Sequence, residues 1–211
     1  MLLTLSWAHR VGAAVGMALA LTLNGSPSPS GTDGGSERGA GTAVPGGVVW
    51  VGEVGVRPAA HLKAAANISA ACGVFDDAQK LVRRFSRYRG DARNGHYIPG
   101  GKSDLHCGSF ENWGYRHVVQ NHRSQWETDA GLVGTSWRSH ADWAMATVLR
   151  DPDRVTHRSS NRTFCYQRVI YLVRRGDGKI VGSRKPIVIV AQASKNIITS
   201  FPSNSGCPKN S

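Results

Sequence analysis

After Thr163 the apolar period of this chain changes from 3.6 residues to 2, and no other feature constrains its fold as tightly. Ahead of that point the spacing is helical. In AQKLVRRFSRYR, Leu81, Val82 and Phe85 fall on one helical face, with Asp76-Asp77 before it and bases toward its end, as the helix dipole prefers. Ala59 to Ala71 is Ala-rich and helix-compatible. Phe110 to Trp126 reads as a helix with Phe110, Trp113, Val118 and Trp126 turned inward. Ser139 to Leu149 reads as another, stopped by Asp151-Pro152. Gly90 to Gly101 reads as loop, and Val48 to Val56 as a strand or extended arm. Beyond Thr163 come strand-like runs at Phe164 to Arg174, Lys179 to Gly182, Pro186 to Ala191 and Asn196 to Phe201. Helices first and a meander last predict an α+β fold, with N-terminal helices packed on a C-terminal antiparallel sheet of three to five strands.

The first 47 residues do not belong to that domain. Residues 1–30 resemble a signal peptide, with Arg10 followed by a charge-free apolar run, Val11 to Leu23. Those 13 residues fall short of the about 20 that a bilayer-spanning helix needs, so no stable membrane span is expected. Residues 31–47 are rich in Gly, Ser, Thr and Pro and bury too little apolar surface to offset ordering, which makes them a linker. Residues 48–211 suffice for one core, and the chain is expected to be a secreted, extracellular monomer. Cys72, Cys107, Cys165 and Cys207 are widely separated and contain no CxxC pair. Behind a leader, an even count predicts two disulfides, with three pairings open. No paired-ligand spacing for a metal and no nucleotide-binding loop occurs, so no cofactor is expected.

Charge narrows the partner. From Arg57 onward the chain holds 24 of its 26 Lys and Arg and 11 of its 14 Asp and Glu, a formal charge of +13. That excess favours polyanions, to which it gives salt-sensitive attraction. Cleaving RNA without a metal then needs a base for the 2′-hydroxyl, an acid for the 5′-oxygen, donors for the phosphate and a seat for a nucleotide. Histidine suits the first two roles, and GYRHVVQNH supplies His117 and His122, with Arg123 alongside. A five-residue spacing places two side chains well over 90° apart on a regular helix, so sharing one face requires the helix to end between them. The final strand, NIITSFP, sets Thr199 beside the ring of Phe201.

Taken in order, His-x4-His, TSWRSHADWAMATVL (Thr135 to Leu149), VRRGDGKIVG (Val173 to Gly182), an apolar strand and IITSFP resemble the bacterial RNase A-like toxin domain. That domain tips contact-dependent growth-inhibition toxins and related secreted effectors; the barnase- and EndoU-like toxin nucleases are more distant relatives of the same layout. The resemblance spans Gly114 to Pro202. It implies a metal-independent endoribonuclease leaving a 2′,3′-cyclic phosphate, with His122 catalytic, His117 its candidate partner, Thr199 a phosphate donor and Phe201 packed on a base. It also implies an acidic immunity protein as a partner besides RNA. Two departures stand out. Phe201 replaces the family's usual tyrosine, and Glu127 to Val133 lacks the family arginine, leaving Arg123, Arg168 or Lys185 to supply the cation. The alternative class is a non-enzymatic basic secreted module that engages nucleic acid or cell-wall polymers through Trp113, Trp126, Trp137 and Trp143.

Overall fold

Among the described residues, eleven strands paired antiparallel precede and follow two helices in sequence. A computed structural model describes residues 47–53 and 72–208. All of them belong to one compact unit, Ala43–Ser211. The expected leader, the expected linker apart from Gly47, and the Ala-rich stretch at 59–71 lie outside the described residues. The elements are β1 (Val48–Val51), β2 (Leu81–Arg87), β3 (Gly90–Asp91), β4 (Tyr97–Ile98), β5 (Gly101–His106), α1 (Gly114–Gly131), α2 (Trp137–Arg150), β6 (Arg154–Arg158), β7 (Thr163–Gln167), β8 (Ile170–Arg174), β9 (Ile180–Arg184), β10 (Ile187–Ala191) and β11 (Ile197–Phe201). This is an α+β fold.

The principal sheet has the order β11-β10-β7-β6 and is antiparallel throughout. Its inner face presents Phe164, Tyr166, Val188, Val190 and Ile197 to Val118, Trp126, Ala144, Met145 and Val148 of the two helices. Its outer face carries Cys165, Ile187 and Ile189, with Ile198 and Phe201 packed against them. Strands β1, β8 and β9 form a separate sheet, so the run Phe164 to Arg174 is two strands rather than one, parted at Arg168-Val169. No helix among the described residues is long and apolar enough to cross a membrane.

The helix expected in AQKLVRRFSRYR is a strand, β2, paired with β5. A register shift between Leu81 and Arg83 adds one residue to the alternation, and so turns both Val82 and Phe85 inward. That i, i+3 pattern is what reads as helical. The stretch expected as loop is a short β3–β4 hairpin around Asn94-Gly95, and β5 begins at Gly101. Helix α1 starts later than expected and leaves Phe110 on the surface, while Val118 and Trp126 are buried as expected.

Two glycines set where α1 starts. Gly108 and Gly114 have φ of +64° and +84°, and their backbones cross so closely that a Cβ on Gly108 would meet the carbonyl oxygen of Trp113 at 1.9 Å. Only glycine tolerates both the conformation and the approach. Helix α2 is capped by Ser136, whose hydroxyl accepts from the Ser139 amide at 3.2 Å. Disulfides Cys72–Cys107 and Cys165–Cys207 complete the unit, the first tying residue 72 to the end of β5 and the second tying the C-terminal tail to the outer face.

Candidate active site

Strand β11 is the edge of the principal sheet, and α1 packs along it. The contact is fixed by Trp126, wholly buried, whose indole N–H donates to the carbonyl of Ser200 at 3.1 Å. One helical turn earlier, His122 reaches the same strand. Its imidazole stacks on Phe201, ring centroids 4.7 Å apart and planes at 25°. Residues 122 and 201 are thus in contact, although 79 positions separate them.

His117 joins them. Helix α1 does not end between the two histidines, yet their rings meet edge to face at 5.8 Å. The expectation that a continuous helix keeps them apart is corrected: long side chains close the angular gap that Cα positions alone suggest. Each ring has its Nδ1 turned to an acceptor. His117 Nδ1 lies 3.2 Å from the carbonyl of Phe110, with the Asn121 amide nitrogen at 3.1 Å, and His122 Nδ1 lies 3.1 Å from Gln125 Oε1. The Gln125 oxygen only accepts, so the neutral His122 ring carries its proton on Nδ1 and leaves Nε2 as the basic nitrogen, whereas His117 Nδ1 meets both an acceptor and the Asn121 amide donor. Burial holds the His122 pKa below its ordinary value, the Gln125 contact opposes that, and His117 adds to it. An imidazole tuned in this direction is unprotonated at neutral pH and fit to remove a proton.

Thr199 lies two residues before Phe201 on the same outer face, roughly 7 Å along the strand. Its Oγ1 is buried and has no hydrogen-bond partner among the described residues, a costly state for a hydroxyl. Across the sheet, Thr199 aligns with Ile189, Cys165 and Thr156. Arg154 and Arg158 flank Thr156 on that face, and each, like Thr156, has a buried polar atom without a partner among the described residues.

The cations expected to serve the phosphate divide. Lys185 leads into β10 and donates its backbone N–H to Ser203, at the end of the sheet where Phe201 lies. Arg123 is held on another side of α1 by Glu127 at 2.7 Å and by the ring of Trp137. Arg168 is not brought to the histidines: its guanidinium binds the carbonyl of Gly52 and both the carbonyl and carboxylate of Asp151, beside the end of α2. One face of Phe201, the ring expected to pack against a base, is stacked by His122. Of the four tryptophans expected to serve a non-enzymatic binder, Trp126 is in the core, Trp137 and Trp143 are partly buried against it, and Trp113 is half-buried beside His106. Sequence reading missed Arg184, which pairs with buried Asp129 at 3.0 Å next to Gln125. Nothing in SRKP marks it out.

No family model matches the chain and no solved structure matches it. It is 34% identical over 129 residues to two Mycobacterium tuberculosis proteins, Uncharacterized protein MT0764 and Uncharacterized protein Rv0739. The match takes in 60% of this chain and 46% of each relative, so the chain spans less than half the length of the curated relatives it matches.

Proposed function

We propose that this domain is a secreted, metal-independent endoribonuclease of the RNase A-like toxin kind. The observation that carries the proposal is the His122–Phe201 stack, which joins the two sequence segments that most resemble that family. In the proposed reaction Nε2 of His122 takes the proton of a ribose 2′-hydroxyl, and the 2′-oxygen attacks phosphorus. The bond from phosphorus to the 5′-oxygen breaks, and a protonated imidazole, with His117 as candidate, returns a proton to that oxygen. A 2′,3′-cyclic phosphate and a 5′-hydroxyl result. Thr199 donates its unpartnered hydroxyl to the phosphate, and Lys185 adds positive charge nearby.

The two disulfides favour an oxidising compartment, in keeping with secretion. A toxin of this kind acts with an acidic immunity protein that covers the basic site. The test is cleavage of purified RNA in excess EDTA. Wild-type protein is expected to shorten the RNA and leave cyclic-phosphate ends, and His122→Ala to lose that activity. Intact RNA, or unchanged cleavage by His122→Ala, overturns the proposal.

A further inference from the structure

Next to Gln125, the hydrogen-bond partner of His122, lies a cavity of about 240 Å³ lined also by Thr128, Asp129, Arg184, Pro202, Ser203 and Asn204. It is continuous with the proposed centre through two residues. Gln125 accepts from His122 Nδ1, and Pro202 follows Phe201 in the chain. The volume is below the about 300–1,000 Å³ of pockets that take drug-sized ligands, and suits a single planar ring system.

Asp129 forms the floor, and its charge is placed against cost. The side chain is 2% exposed and sits in the last turn of α1, where the helix dipole disfavours a carboxylate. Burial pushes its pKa up, and Arg184 counteracts that. The guanidinium reaches only one oxygen, donating from Nε to Oδ1 at 3.0 Å. Oδ2 is shielded from water and has no donor among the described residues. A structural ion pair would gain by a paired contact to both oxygens. Here one carboxylate oxygen, with both lone pairs unmet, is held behind a guanidinium that remains about one-third exposed at 32%.

We infer that this cavity is a base-recognition subsite that selects guanine on the 5′ side of the scissile phosphate, an inference that rests on the ribonuclease reading. Among the four RNA bases only guanine offers two adjacent N–H donors, at N1 and N2, beside a carbonyl. The two parallel donors match the two oxygens of the Asp129 carboxylate, Oδ2 and Oδ1, and O6 accepts from Arg184, once that side chain tilts off Oδ1 to admit the ring. Gln125, Thr128 and Asn204 bring further polar groups to the walls. Residues 122, 125 and 129 follow one stripe of α1, so a nucleotide whose ribose meets His122 has its base carried toward Asp129.

The test uses DNA oligonucleotides with a single ribonucleotide, G, A, C or U, digested in EDTA. Wild-type protein is expected to cleave after G about 5- to 150-fold faster than after the other bases. Asp129→Asn and Arg184→Gln are each expected to remove the preference while leaving slow cleavage after A, C and U. Thermal unfolding of both variants checks that they are folded. A second arm measures guanosine 3′-monophosphate against the other three 3′-nucleotides on folded His122→Ala protein, where no turnover occurs. Equal cleavage after all four bases, preference for another base, or a guanine preference that survives both substitutions overturns the subsite and leaves the ribonuclease standing. Selective binding of the guanine nucleotide, lost on adding Asp129→Asn, with no cleavage of any substrate keeps the subsite and sinks the ribonuclease. Neither cleavage nor selective binding removes both.

Discussion

Trp126 donates its indole N–H to the carbonyl of Ser200, the residue between Thr199 and Phe201. One hydrogen bond from a buried ring therefore sets the height of α1 against β11, and with it the meeting of His122 and Phe201. Trp126→Phe keeps an aromatic ring in the core but leaves that carbonyl without its donor. It is expected to lower unfolding free energy by about 2 kcal/mol in urea titrations, combining lost volume and a lost buried hydrogen bond.

Thr199 separates stability from activity. Because its Oγ1 is buried without a partner among the described residues, Thr199→Val exchanges an unmet hydroxyl for a methyl group of similar shape. The variant is expected to be as stable as wild type or up to about 1 kcal/mol more stable, and to cleave RNA about 10²-fold more slowly. A destabilised Thr199→Val with full activity contradicts the role given to this hydroxyl.

Phe201 shields His122 from water, and burial is the leading cause of the depressed His122 pKa. In Phe201→Ala, proton NMR titration of the His122 ring is expected to show a pKa moved up toward 6.5, with the acid limb of the cleavage profile moving with it. Phe201→Tyr restores the phenol that the related toxins carry and is expected to raise the cleavage rate without moving that limb.

His140 is expected to make the domain acid-labile. It is 3% exposed and lies among Trp50, Trp126 and Trp143, with ring centroids 5.8, 5.6 and 5.6 Å away. Burial pushes its pKa down to about 4, while the unfolded chain keeps the ordinary 6.5. Between those values the unfolded state holds the extra proton, so stability present above pH 6.5 is lost as pH falls toward 4. The loss is roughly 3 kcal/mol, at about 1.4 kcal/mol for each tenfold difference in proton affinity between the folded and unfolded chain. Denaturant midpoints from about pH 7.5 to about pH 4 should fall steeply for wild type and less steeply for His140→Gln.

The disulfide Cys165–Cys207 closes a segment with a sequence separation of 42. Loop-closure entropy for that length is worth about 4 kcal/mol in the chain-entropy model. The double variant Cys165→Ala/Cys207→Ala is expected to lose about 2–4 kcal/mol of stability, read by urea unfolding, and to release the tail whose Cys207 amide donates to Gln167.

What the sequence showed, and what it hid, follows from how far each signal reaches. Helix α2 was legible to within two residues at its start and one at its end because period and stop agree within one segment, while its Ser136 cap was not read. The same was true of β10 and β11, whose β-branched runs are short and bounded. Strand β2 was hidden because a bulge imitates helical spacing, and β6 because Arg154–Arg158 mixes charge with apolar residues. Both histidines and Thr199 could be picked out by residue type and order. Arg184 and Asp129 could not, since a contact between positions 55 apart leaves no local mark. The disulfide pairing was equally closed to sequence, for four cysteines admit any of three patterns.

The register shift between Ile189 and Val190 has a consequence for how this edge evolves. It lets Ile197 and Ser200 face the helices together, while Ile198 and Thr199 both face outward, so β11 is read in two opposite phases about one inserted position. Substitutions that smoothed the bulge into strict alternation from Ile197, with no residue lost, would point the Thr199 hydroxyl and the Phe201 ring into the oily interior while leaving the composition of the strand almost untouched. At this edge, the phase of the strand matters more than its composition.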